Sequence, residues 1–125
     1  AAGMDIASHT VTHPKLSRLP EDDIAREVRE SKATLEARLA RPVEFLIYPY
    51  GLFDARVMTQ VAAAGYLGAL AIFDGTRLWR HDPYALRRVV ISSRQPAWEF
   101  ALKVSPAHLL FIGMRRLERA LKRRR

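Results

Sequence analysis

Apolar residues recur along this chain in two rhythms, and these divide it into helices and strands before any chemistry is considered. Ile24, Val28, Leu35 and Leu39 stand among charged residues at the 3.6-residue spacing of an amphipathic helix over residues 21–40. Glu21, Asp22 and Asp23 fall in its first turn, where the helix dipole favours carboxylates, and Pro20 beside them suits a helix start. This acidic cluster therefore reads as a helix terminus and not as a metal site. Pro42 ends the helix. Residues 43–48 follow as an apolar run broken only by Glu44, the pattern of a strand buried in a parallel sheet. Asp54 is placed to cap a second helix running to about Ala64, which Gly65 can close in a left-handed conformation.

Three further strands complete the pattern. Residues 68–73 and 86–92 are apolar and β-favouring, with Asp74-Gly75 as a turn signal after the first, and residues 5–8 predict a short strand near the start. From about Pro106 onward, Leu110, Met114, Leu117 and Leu121 form one stripe while Arg115, Arg119 and Lys122 line another face, which predicts a basic amphipathic helix. The order strand, helix, strand, helix, strand, strand, helix predicts an α/β fold with a largely parallel sheet.

Length and composition bound this picture. A chain of 125 residues makes one domain that buries about two-thirds of its unfolded surface. Cysteine is absent, so there is neither a disulfide framework nor a thiolate metal site. Residues 1–8 lack the basic start and apolar run of a signal peptide, and no stretch approaches the ~20 apolar residues of a membrane-spanning helix. The compartment is left open.

The formal net charge of +8 is concentrated at one end. Residues 115–125 carry seven Arg or Lys against Glu118, whereas the rest of the chain is nearly neutral. The last segment, residues 105–125, can lie on an anionic membrane surface, contact an anionic glycan, or pack its stripe on the domain. Nucleic-acid binding is not expected, because no aromatics are interleaved with the basic residues as stacking platforms.

The candidate chemistry lies in Ser8-His9-Thr10-Val11-Thr12-His13-Pro14. Neutral imidazole is a common zinc ligand, and His9 and His13 are four residues apart. Thr10, Val11 and Thr12 are β-branched or polar and Pro14 disfavours helical geometry at His13, so a loop leaving a strand fits better than a helix. On spacing alone the pair is either half of a metal site or two polar residues beside a strand end. Catalytic zinc usually takes about three protein ligands, so a carboxylate would have to come from elsewhere. Tyr48-Pro49-Tyr50-Gly51 follows a strand at the end where functional loops of parallel α/β folds gather, with Pro49 fixing the backbone and Gly51 permitting a turn.

Together these segments resemble the polysaccharide deacetylases of the NodB homology type, carbohydrate esterase family 4. His9-Thr10-Val11-Thr12-His13 is similar to that family's His-(Ser/Thr)-x-x-His metal motif, Tyr48-Pro49-Tyr50-Gly51 to its Pro-Tyr motif, and Ala64-Gly65-Tyr66 to the segment after it. The resemblance covers roughly residues 2–103. It implies a partial, deformed (β/α) barrel over residues 1–104 with a basic amphipathic helix after it. It also implies metal-dependent removal of N-acetyl groups from a polysaccharide. His9 and His13 would then hold a divalent metal, zinc above all, the Tyr50 amide would serve the oxyanion, and Tyr48, Pro49 and Gly51 would line the substrate.

Several family features are missing from this sequence. The paired Asp residues that provide the base and the third metal ligand lie upstream in the family, and this chain starts eight residues before His9. The chain is therefore expected to be the C-terminal part of a longer domain, weakly active or inactive alone. Ile47 stands where an Arg often precedes the Tyr motif, and no Leu-x-His acid motif is visible. His81 and His108 lie outside that pattern and read as surface residues. The alternative is a non-catalytic module that uses its basic C-terminal helix.

Overall fold

The computed structural model describes residues 3–72, 82–88 and 91–105. The chain divides into two compact units, residues 1–88 and 89–125. In the first, the α/β expectation holds. Helix α1 spans Glu21–Leu39, strand β1 Phe45–Ile47, helix α2 Ala55–Ala63, strand β2 Gly68–Ile72 and strand β3 Leu86–Arg88. The three strands form a parallel sheet in the order β1-β2-β3, with Phe45 opposite Gly68 and Leu70 opposite Leu86. Among the described residues the sheet is open, not a closed barrel.

The periodicity of α1 is realised as burial. Ile24 and Val28 are fully buried, and Leu35 and Leu39 pack half-buried against the same core, which also contains Leu46, Val57, Val61 and Tyr66. Burying each such aliphatic side chain contributes about 1.5–3 kcal/mol. The helix ends within a residue of the expected place, two residues before Pro42: Ala40 caps it, turning left-handed (φ 52°) while its N–H still bonds the Glu36 carbonyl. Lys32 and Glu36 then grip the returning chain: the ammonium donates to the Val43 carbonyl at 2.6 Å and the carboxylate accepts from the Val43 N–H at 2.9 Å. The same two side chains pair at 2.8 Å. Lys32 and the Val43 N–H together hold the Glu36 carboxyl below its usual range.

Helix α2 has the predicted boundaries. The Asp54 carboxylate accepts from the Val57 N–H at 3.0 Å, and Gly65 takes φ +80° after the last turn.

Other expectations are corrected. Residues 5–8 do not form a strand; only Ser8 makes an isolated parallel bridge to Leu46. Of the run 86–92, residues 86–88 are a strand and Ile91 and Ser92 are not. Helix α3, Ala97–Val104 in the second unit, is not anticipated by the periodicity, because eight residues present too short a pattern. Within that unit Lys103 pairs with Glu99 and donates to the Gln95 side chain. Phe73, the Asp74-Gly75 turn, His81, His108 and the basic segment from Pro106 lie outside the described residues.

Candidate active site

The parallel bridge at Ser8 sets the geometry of the site. The Ser8 N–H donates to the Phe45 carbonyl at 2.9 Å and the Ile47 N–H donates to the Ser8 carbonyl at 2.8 Å. The chain at Ser8 and strand β1 therefore run side by side and end at the same edge. His9 leaves one and Tyr48 the other, so two segments some forty residues apart in sequence become neighbours at the carboxyl edge of the sheet.

The two imidazoles face each other. His13 Nε2 is 3.1 Å from His9 Nε2, with the rings edge to face and their centroids 4.7 Å apart. His9 Nδ1 lies 2.6 Å from the Ile47 carbonyl oxygen. A carbonyl only accepts, so Nδ1 carries the ring proton and Nε2 presents its lone pair toward His13. Two nitrogens held tetrahedrally at roughly 2.0–2.1 Å from one ion stand about 3.3 Å apart, near the separation seen here. The donor set fits a divalent transition metal on both geometry and softness. Among the described residues, no group of three or more His, Cys, Asp or Glu side chains is placed to hold an ion.

The loop carrying the pair is bent in an unusual way. Thr10 (φ 68°) and His13 (φ 59°) are both left-handed, which is rare for any residue but glycine and a real outlier for β-branched Thr. The Thr10 hydroxyl accepts from the His13 N–H at 3.1 Å, closing the loop on itself. Glu27 of α1, which sequence reasoning missed, reaches up beneath it. One carboxylate oxygen accepts from the Val11 N–H (2.8 Å) and the Thr12 N–H (3.0 Å), and the other accepts from the Thr12 hydroxyl (2.6 Å). Burial pushes the Glu27 carboxyl up, but these hydrogen bonds and the nearby Arg26 outweigh it and hold the group below its usual value. A signal was present in the sequence: Glu27 and Ser31 share the buried face of α1 with Ile24 and Val28.

Residues Pro49–Gly51 form a tight turn after β1, kinked at Tyr50 and closed by the Gly51 N–H on the Tyr48 carbonyl (3.0 Å) and the Leu52 N–H on the Pro49 carbonyl (3.1 Å). Tyr50 (φ 57°) and Gly51 (φ 69°) are consecutive left-handed residues. A Cβ on Gly51 would lie 2.8 Å from the Ile72 carbonyl oxygen and 2.9 Å from its nitrogen, so the close approach to β2 requires glycine. The Tyr50 side chain is 58% exposed, its ring against His13 at 4.7 Å and the Lys15 ammonium 5.5 Å from its centroid. No hydrogen bond from the Tyr50 N–H is found among the described residues.

Tyr48 and Pro49, expected to line the substrate, are buried. The Tyr48 ring stacks on Phe53 at 4.7 Å, and its hydroxyl donates to the Tyr84 carbonyl at 2.8 Å. Burial first, then Asp82 and Tyr84, push this phenol far above its usual range, so it stays protonated and acts as a donor. Both residues support the turn from inside the core.

A facing imidazole pair and an aromatic-glycine turn at the carboxyl edge of an open parallel sheet define an α/β protein with a candidate functional site at that edge. The sequence profile of the polysaccharide deacetylase family matches residues 1–69, and the chain belongs to that family. It is 38% identical over 68 residues to a chitooligosaccharide deacetylase of Sinorhizobium fredii, a match covering 52% of this chain and 31% of the relative. Among solved structures, it is similar to the deacetylase PplD of Streptococcus pyogenes in complex with acetate (TM-score 0.75, 23% identity, 83% of this chain and 46% of that one). It is also similar to a polysaccharide deacetylase of Bacillus cereus (TM-score 0.70, 26% identity, 81% and 32%). The chain thus spans about a third of the curated relative and under half of these structures.

Proposed function

We propose that this chain carries part of the active site of a metal-dependent de-N-acetylase acting on an N-acetylated polysaccharide. The reading rests on one observation above the others: two exposed imidazole Nε2 atoms face each other at 3.1 Å, one of them fixed in tautomer by the Ile47 carbonyl. His9 and His13 would hold a divalent metal, zinc by the nitrogen character of the pair. When bound, such an ion supplies Lewis acidity and a more acidic water.

The protein's own groups have separable tasks. Ile47, through its carbonyl, keeps His9 Nε2 free to ligate. The N–H of Tyr50, an exposed residue on a left-handed turn whose ring lies beside His13, would donate to the oxyanion of the tetrahedral intermediate; oxyanion-hole donors are worth about 2.7–4 kcal/mol elsewhere. The exposed Tyr50 ring offers a face to a sugar, and Gly51 lets the turn sit low against β2. No described residue is assigned as third ligand, general base or general acid.

Zinc titration by calorimetry tests this. The 125-residue chain is expected to bind zinc weakly, with the affinity falling at least tenfold in His9→Ala or His13→Ala while the fold is retained. Equal affinity in the wild type and both variants would remove the assignment. Strong, chelator-sensitive acetate release from chitooligosaccharide by this chain would show instead that it holds a whole site.

A further inference from the structure

The histidine loop holds two residues in a strained backbone region, and such strain persists only where the surroundings over-determine it. The constraint can be traced to one face of one helix. Glu27 takes both backbone N–H groups at the tip of the loop, Val11 and Thr12, together with the Thr12 hydroxyl. One turn further along α1, the buried Ser31 hydroxyl meets the Ser8 hydroxyl at 2.7 Å, just before the loop begins. Ser31 is tied in turn to the Val28 carbonyl at 3.1 Å. The loop is thus pinned at its root and at its tip by side chains four residues apart on α1. His9, between the pins, is held by the Ile47 carbonyl of β1, and His13, just beyond the second, by the Thr10 hydroxyl. Glu27 is 7% exposed, and both of its carboxylate oxygens are engaged by donors of the loop.

We infer that Glu27 is the positioning residue of the histidine loop: its carboxylate gathers the Val11 and Thr12 amides so that the His9 and His13 imidazoles meet at one point. The consequence for metal affinity rests on the proposed function; the ordering of the loop does not. A carboxylate suits the task because three donors converge on it and it only accepts. Methionine at this position keeps the stem and the helix propensity but offers no such acceptor. Glutamine can still accept both amides through its one oxygen and donate to the Thr12 hydroxyl, so it should restore most of the order.

The test uses the 125-residue chain. In metal-free protein, Glu27→Met should speed hydrogen exchange of the Val11 and Thr12 amides about tenfold or more relative to the amides of α2, and weaken the His9 ring-proton resonance bonded to Ile47. Its zinc dissociation constant should rise about 10–100-fold, as for other residues that orient ligands. Glu27→Gln should stay within about threefold of wild type, and Glu30→Met, on the exposed side of the same helix, should change nothing. If Glu27→Met unfolds the domain, Thr12→Val, which removes only the exposed hydroxyl's bond, should give a smaller acceleration at the same amides. Val11 and Thr12 amides that exchange as in wild type in a folded Glu27→Met chain would overturn the inference. Loosened amides with unchanged zinc affinity would overturn it too. A wild-type chain that binds no zinc, yet loosens its loop in Glu27→Met, would refute the metal reading alone.

Discussion

The two loops at the carboxyl edge, residues 9–13 and 48–51, each contain two left-handed residues and are held there by opposite means. The histidine loop lies on the surface and is fixed by polar side chains: Glu27 beneath its tip, the Thr10 hydroxyl inside it and Ser31 at its root. The tyrosine turn is fixed by packing. Tyr48 and Pro49 are sunk in the core, and Gly51 sits against the backbone of Ile72 with no room for a Cβ. A surface loop that must present two imidazoles has little apolar area with which to anchor itself, so it borrows order from a buried carboxylate. A turn that must present only a backbone N–H can put its side chains inside. Order by hydrogen bonds can be loosened locally, whereas order by packing fails together with the core.

This contrast makes three further predictions, in decreasing size. Tyr48→Ala empties a fully buried site under the turn and should cost about 3–5 kcal/mol by urea unfolding, like other large aromatic deletions. A loss below about 1 kcal/mol would break the claim that packing holds the turn. Gly51→Ala combines a positive φ with a backbone contact under 3 Å and should cost about 1–3 kcal/mol, while Val11 and Thr12 exchange as before. If the histidine-loop amides loosened equally, the two loops would not be independent.

The smallest effect is one of pH. Glu27 is held below its usual value in the fold, so its stabilisation is complete above the ordinary glutamate value and is lost as the pH falls through the lowered one. The Val11 and Thr12 amide shifts should therefore show a step with a midpoint below that ordinary value, absent in Glu27→Gln. The Gly51 and Leu52 amides, bonded to the Tyr48 and Pro49 carbonyls, should not share it. A step of equal size in both loops would erase the distinction.

Much of the architecture was legible in the sequence because it rests on local rules. The stripe Ile24, Val28, Leu35, Leu39 marked α1, Asp54 and Gly65 bracketed α2, and the apolar run before Tyr48 contained β1. The end of α1 before Pro42 was legible as well, but its geometry was not: Ala40 adopts a left-handed conformation that nothing in its side chain favours, and Lys32 and Glu36, by gripping Val43, fix the return of the chain there. The strand expected at residues 5–8 shrank to one bridge at Ser8, since pairing depends on a partner and not on propensity alone.

The same division runs through the candidate site. The sequence by itself determined the family, the histidine pair and the glycine turn, because their spacing is a property of the chain. Only the tertiary structure decided that His9 and His13 face each other, that the Ile47 carbonyl sets the tautomer of His9, and that Tyr48 is a support and not a contact surface. Glu27 belongs to that second group. Its helical phase placed it on the buried face of α1, but its partners lie 15 and 16 residues earlier in the chain. Hydrogen bonds act over about 3 Å of space, and no local pattern tells which distant amides a buried carboxylate will meet.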